Sequence, residues 1–211
     1  MSTPGTRANQ CRKPAGWFGR FVLRNMNSRH SKVTDWGLAH LTIGSAILDV
    51  GCGGGRTIGK LAALAPEARV YGIDHSAESV AVATRVNARA VEAGRVEVLQ
   101  GSVSQLPFPG ETFDLVTAVE THFFWPDLPN DVREVLRCLK PGGMFVLIAE
   151  VYRGASSATA KLVEKYAQKT GMTLLTVDGH RDLFENAGFS EIQVYEESRK
   201  GWICCTGRKG V

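Results

Sequence analysis

Residues 47–55 read Ile47-Leu48-Asp49-Val50-Gly51-Cys52-Gly53-Gly54-Gly55. An apolar run that opens at Ala46 stops abruptly at glycine, as a strand buried on both faces of a parallel sheet does where it meets a tight loop. Glycines there let the backbone approach a ligand closely and reach dihedrals that a β-carbon forbids. A helical pattern over 56–64 follows at once and is closed by Pro66. The second apolar run, Val70-Tyr71-Gly72-Ile73-Asp74, ends on an acid about 25 positions after Asp49, within the loose spacing of nucleotide-binding βαβ units. A carboxylate there can accept hydrogen bonds from both hydroxyls of a ribose, which predicts a nucleoside site at the carboxyl ends of the strands.

The same alternation continues outward. Ser76 is placed to cap a helix over 77–93, with Glu78 in its first turn. Strands are expected over 96–99 and 113–119, a helix over 131–139, and a fifth strand over 144–149 after the turn Pro141-Gly142-Gly143. Helices over 158–169 and 180–187, the latter ended by Gly188, precede two β-rich runs over 189–195 and 202–206. The link Ser198-Arg199-Lys200-Gly201 is too short for a parallel crossover, so these two strands form an antiparallel hairpin. The expectation is an α/β, Rossmann-like, seven-stranded and mostly parallel sheet with helices on both faces. No repeat or low-complexity tract marks a second domain. Residues 1–45 are expected to form an N-terminal arm and 46–211 the folded domain.

Composition removes several classes of function. The chain has 211 residues, 44% of them apolar, which suits one globular domain with a sizeable core. A charged fraction of 22% and only 8 prolines leave neither disorder nor a fibre plausible. No stretch approaches the ~20 apolar residues of a membrane span, and residues 1–12 lack the apolar core of a secretory signal, so a cytoplasmic location is expected. Five cysteines, an odd number without a C-x-x-C pair, argue against a disulfide framework or structural zinc. Cys138, Cys204 and Cys205 lie in apolar stretches and are expected to be reduced core residues. The net charge of +4 is uneven: residues 1–45 carry seven Lys/Arg against Asp35 alone. Such an arm could meet an anionic substrate, nucleic acid or a membrane surface, or be a solvated helix face.

The loop chemistry narrows the ligand. A dinucleotide site takes G-x-G-x-x-G, so that a pyrophosphate sits on the helix N-terminus. Here the pattern from Gly51 is G-C-G-G-G-R, with Arg56 in place of the third spaced glycine, which disfavours a dehydrogenase. Asp49 precedes the first glycine by two residues, where its negative charge suits a ligand bearing an ammonium and a sulfonium better than one bearing two phosphates.

At these residues the chain resembles the class I S-adenosylmethionine-dependent methyltransferases. Residues 49–55 look like their first motif, and Asp74 is similar to the acid of their second. Gln100-Gly101-Ser102-Val103 with Leu106-Pro107-Phe108 resembles the segment that lines the adenine, Phe113-Asp114-Leu115-Val116 the fourth strand, and Leu139-Lys140-Pro141-Gly142-Gly143 the turn before the fifth. All five occur in the family's order. The resemblance implies S-adenosylmethionine as cofactor and S-adenosylhomocysteine as product. It implies that Gly51 and Gly53 pass the methionine moiety with Asp49 near its amino group, that Asp74 holds the ribose, and that His75 and Val103 flank the adenine. Ser102 stands where many relatives have Asp, and can still accept one hydrogen bond. For Asp49 and Asp74 the alternative role is capping of loops.

On the acceptor side, Glu120-Thr121-His122-Phe123-Phe124-Trp125-Pro126 follows the fourth strand. It is not the Asn/Asp-Pro-Pro-Tyr/Phe signature of enzymes that methylate amino groups of DNA bases or glutamine, so nucleic acid is an unlikely partner. His122 is the candidate general base, because imidazole titrates near neutral pH; the alternative is a loop histidine bonded to backbone. Glu120 is expected to fix backbone at the strand end beside the cofactor. Phe124 and Trp125 are candidate walls of an acceptor pocket, or plain packing. The segment Gly16-Trp17-Phe18-Gly19-Arg20-Phe21, with Met26, His30 and Trp36 beyond it, resembles the N-terminal lid of small-molecule methyltransferases of the ubiquinone/menaquinone type. That resemblance implies that Met26 and His30 border the cofactor and that Trp36 helps close the site; the alternative is an amphipathic helix docked on the core. No ligand-spaced Asp, Asn or His cluster predicts a metal, and the scattered cysteines offer no thiolate set for arsenite methylation. The expected function is metal-independent, in-line methyl transfer to the O, N, S or C of a small molecule. RNA methylation through the basic arm, and a non-catalytic cofactor-binding regulator, are the alternatives.

Overall fold

The computed structural model describes residues 31–211. The basic arm, the aromatic segment 16–21, Met26, His30 and Cys11 lie outside the described residues.

Seven strands form one sheet: β1 (Ala46–Val50), β2 (Arg69–Asp74), β3 (Val96–Gln100), β4 (Phe113–Val119), β5 (Leu139–Ala149), β6 (Phe189–Glu197) and β7 (Trp202–Lys209), in the order β3-β2-β1-β4-β5-β7-β6. Pairing is parallel from β3 through β5, then antiparallel for β5 with β7 and for β6 with β7. The hairpin forms as its four-residue link requires, turning at Gly201 with φ 80°.

Side chains alternate between two apolar layers, as a pleated strand demands. Leu48, Phe145 and Leu147 face one layer, closed by α5 (Leu128–Cys138) and α7 (Val177–Ala187). Ile47, Val146 and Ile148 face the other, closed by α1 (Ser31–Leu38), α2 (Arg56–Leu64) and α3 (Ala77–Val86). A short α4 (Ala88–Glu92) and α6 (Ala158–Thr170) complete the helices among the described residues, with a 3₁₀ turn over His122–Phe124. Cys52, Cys138, Cys204 and Cys205 are all buried and free. No helix among the described residues is long and apolar enough to cross a membrane.

Several boundaries differ from the sequence reading: the helix expected over 131–139 runs from Leu128 to Cys138, that over 180–187 begins at Val177, and the last two strands extend to Glu197 and Lys209. The helix expected over 77–93 is two helices, because Asn87 leaves helical geometry and its side-chain amide donates to the carbonyls of Gly55 and Ala83, both at 2.9 Å. The fifth strand starts at Leu139 rather than Met144; a register shift opposite 113–115 and Gly142 at φ 74° absorb the turn inside it. Residues 31–38 form a helix whose Val33, Thr34, Gly37 and Leu38 are buried, so this part of the arm is docked on the core.

Candidate active site

The strand order reverses between β1 and β4, so the loops that leave their carboxyl ends diverge and open a crevice, the usual ligand position in such sheets. The loop after β1 is held in a left-handed path by Gly51, Gly53 and Gly55, at φ 70°, 51° and 76°. The amides of Gly51 and Cys52 donate to the carbonyl of Ile73 at 2.8 and 3.0 Å, tying the loop to β2. Asp74 fixes it from the side: its carboxylate accepts from the amides of Gly53 and Ser76, both at 2.9 Å. Gly55 is clasped by Asn87 as described above. Ser76 caps α3 and Glu78 lies in its first turn, as the sequence predicts.

Asp49 is 2% exposed and lines the crevice. Its Oδ1 accepts from the hydroxyl of Thr117 at 2.7 Å. Burial pushes the carboxyl up to about 7, against the opposing hydrogen bond from Thr117, and the nearby charge of Asp74 adds to the rise. The crevice continues past His75, Ser102 and Val103 on one side and Glu120, Thr121, Phe124 and Trp125 on the other. Glu120, left-handed at φ 57°, joins the ends of two strands: its amide donates to Ile148, and its carboxylate accepts from the amide of Glu150.

A ligand with an ammonium, a ribose and no pyrophosphate fits this donor set. Two carboxylates lie at its floor, and the loop amides nearest them are already engaged by protein. Ser79 also lines the crevice, and its hydroxyl is buried without a partner among the described residues.

The methyltransferase-domain family matches residues 48–147, which span β1 to β5. A demethylmenaquinone methyltransferase of Geobacillus kaustophilus is 31% identical over 173 residues, covering 72% of this chain and 73% of that protein. The chain belongs to the class I S-adenosylmethionine-dependent methyltransferases. An O-methyltransferase of Penicillium expansum, cnsE, is 31% identical over 151 residues; they are 72% of this chain but 54% of the fungal protein, so the chain spans about half of that relative. In fold, it is similar to the geranyl diphosphate C-methyltransferase of Streptomyces coelicolor A3(2), with a TM-score of 0.73, 14% identity, and coverage of 95% of this chain and 87% of that one.

Within this methyltransferase the cleft brings together Asp49, Gly51, Gly53, Asp74, His75, Ser102, Val103, Glu120, Phe124 and Trp125. Two expected site residues are elsewhere. His122 has no exposed surface and lies outside the cleft; its ring packs on Phe123 at 4.1 Å and faces His180 at 5.4 Å. Both its nitrogens lack partners among the described residues, and burial holds its pKa well below the ordinary imidazole range. A base must reach the proton it removes; the 3₁₀ turn sends His122 into the core and leaves Phe124 at the cleft. Trp36 is also outside, at 5.9 Å from Trp202 and 5.3 Å from His40. The helix presents Thr34 to the cleft instead, and two residues on, about 200° around the axis, a side chain faces away.

The sequence reading missed Thr34, Thr57, Ser79 and Thr121 in the cleft, and Thr117 beneath it. Small hydroxyl residues carry no spacing signal, and only the strand order brings β4 beside Asp49. Among the described residues no group of three or more His, Cys, Asp or Glu side chains is placed to hold a metal ion.

Proposed function

We propose that this methyltransferase transfers the methyl group of S-adenosylmethionine to a small-molecule acceptor by in-line displacement without a metal. The observation that carries this reading is the single cleft in which Asp49, the glycine loop and Asp74 meet Glu120, Phe124 and Trp125. When bound, the cofactor supplies a methyl group already activated on sulfonium. The protein then has mainly to position: Asp49 takes the amino group, Asp74 the ribose hydroxyls, and Ser102 and Val103 the adenine. Phe124 and Trp125 form an apolar wall against which an acceptor is held, and orienting two reactants in this way supplies much of a bimolecular rate enhancement. His122 lies outside the cleft, so this reading gives it no part in proton transfer. The demethylmenaquinone, 27-O-demethylrifamycin SV and sterol 24-C methyltransferases among the relatives support a small organic acceptor. The direct test is radiolabelled methyl transfer to a panel of phenols, quinols and amines; binding of S-adenosylmethionine with no transfer to any acceptor or RNA would favour a regulatory cofactor-binding protein.

The pairing of Asp49 with an ammonium makes a signed prediction. In the empty protein the carboxyl is raised to about 7, so below that pH it is protonated and must release a proton to meet a cation. Affinity for S-adenosylhomocysteine is expected to rise as pH increases toward 7, by up to about tenfold per unit, and to flatten above it. Asp49→Asn is expected to bind weakly at every pH with no such slope. Titration calorimetry between pH 5.5 and 8.5 checks both.

We further propose that the helix over Ser31–Leu38 shields the loaded cleft, since its Thr34 lines it. Addition of S-adenosylmethionine is expected to protect this segment from proteolysis; an unchanged cleavage pattern would show it to be docked independently of the cofactor.

A further inference from the structure

A polar contact beneath the cleft is not used by the positioning scheme above. Thr117 sits in the middle of β4 and is wholly buried. β4 is otherwise apolar around it, with Leu115, Val116 and Ala118 as neighbours at no exposure, so a hydroxyl there needs a reason. β1 and β4 pair in parallel with Asp49 opposite Thr117, which puts the two side chains on the same face of adjacent strands. The hydroxyl lies 2.7 Å from Asp49 Oδ1 and 3.5 Å from the carbonyl of Leu48. The ionised carboxylate only accepts, so in that form the Thr117 hydroxyl donates to it.

We propose that Thr117 is a positioning residue for cofactor binding: its hydroxyl orients the Asp49 carboxylate toward the cofactor's amino group and sets the pH at which the site loads. The proposal rests on the reading that Asp49 meets that amino group. Three consequences follow from the geometry. With Oδ1 held from β4, the other oxygen is turned toward the cleft that Asp49 lines. A donated hydrogen bond favours the ionised form against the burial that disfavours it. The same bond fixes the side-chain rotamer before the ligand arrives, so little ordering is left to binding. The other charged or titratable groups around Asp49 are Asp74 at the end of β2 and Cys52 in the glycine loop, with Arg56, His75 and Glu120 further along the cleft wall. Asp74 opposes ionisation of Asp49, which leaves Thr117 as the neighbour that favours it.

Thr117→Val preserves shape, β-branching and burial while deleting the donor, and Thr117→Ser keeps the donor. The experiment is calorimetric titration of the full chain with S-adenosylhomocysteine from pH 5.5 to 8.5, in two buffers of different ionisation enthalpy so that proton release is counted, with thermal melts to verify folding. For Thr117→Val the midpoint of the affinity–pH curve is expected to move up by about 1 unit, with affinity at pH 7 lower by about tenfold and a smaller loss at pH 8.5. Thr117→Ser is expected to follow the wild type. A Thr117→Val curve that keeps its midpoint, whether its affinity is unchanged or lowered equally at every pH, overturns the proposal and leaves Thr117 a structural residue. Asp49→Asn separates the two levels. If it retains both affinity and slope, the assignment of Asp49 itself fails; if it loses the slope while Thr117→Val leaves the midpoint in place, only the role of Thr117 fails. Should Thr117→Val fail to fold, Thr117→Ala also deletes the donor, and an unshifted midpoint there has the same meaning.

Discussion

Asp74→Ala is expected to weaken binding of both S-adenosylmethionine and S-adenosylhomocysteine by about 100-fold or more. Hydrogen bonds to a charged group each contribute about 1.5–3 kcal/mol, and a ribose presents two hydroxyls to this one carboxylate. The variant loses a second contribution within the protein. The amides of Gly53 and Ser76, both at 2.9 Å from the carboxylate, are left without their acceptor, so the glycine loop and the first turn of α3 lose a common anchor. Asp74→Asn keeps one carbonyl acceptor and is expected to fall between alanine and wild type. The check is calorimetric titration well below the melting temperature, with NADH as a control ligand. Full affinity in Asp74→Ala would mean that the carboxylate serves the loop alone.

Gly51→Ala has the second large expected effect, and here the cost is steric. Gly51 sits at φ 70°, and a β-carbon added to it would lie 2.0 Å from Thr121 Oγ1 and 2.7 Å from Thr121 Cβ. The left-handed backbone costs a non-glycine residue about 1–2 kcal/mol, and forced overlap in a packed site adds about 1–3 kcal/mol. For a domain of this size that corresponds to a fall in melting temperature of roughly 5–15 °C. Cofactor affinity is expected to fall as well, because relief of the clash pushes the loop after β1 away from the loop after β4. Gly94→Ala is the internal control: its φ is 71°, yet nothing lies within 4 Å of the added β-carbon, so it carries the backbone term alone. Thr121→Gly in the Gly51→Ala background is expected to recover the steric part and not the backbone part. Equal melting temperatures for Gly51→Ala and Gly94→Ala would show that the two loops are not in contact in solution.

These two residues also show how much of the site is legible along the chain. Gly51 and Asp74 are both visible in sequence, because a strand that breaks into glycine and a second strand that ends on an acid are local patterns with one structural reading. Their partners are not. Thr121 and Thr117 are ordinary residues of a fourth strand and its loop, 62 or more positions from the glycine loop, and nothing in their spacing announces that they meet it. Asn87 is comparable: it lies inside a good helical pattern, yet the helix breaks there and its amide reaches the distant carbonyl of Gly55 as well as that of Ala83. His122 shows the converse. Its residue type and its place after β4 suit a base, but the direction of its ring is decided by the 3₁₀ turn and by the space between Phe123 and His180, neither of which is encoded within the segment itself.

The sequence by itself determined the order of strands and helices, the antiparallel hairpin that closes the sheet, the caps at Ser76 and Gly188, and the glycine loop with its two acids, since each depends on periodicity, propensity or backbone freedom within a few residues. Only the tertiary structure decided which hydroxyl holds Asp49, which side chain of the 31–38 helix faces the cleft, and that His122 is buried in the core outside the cleft. Those outcomes depend on β4 lying beside β1 and on the space left between packed layers, and contacts between residues so distant in sequence exist only once the chain has closed on itself.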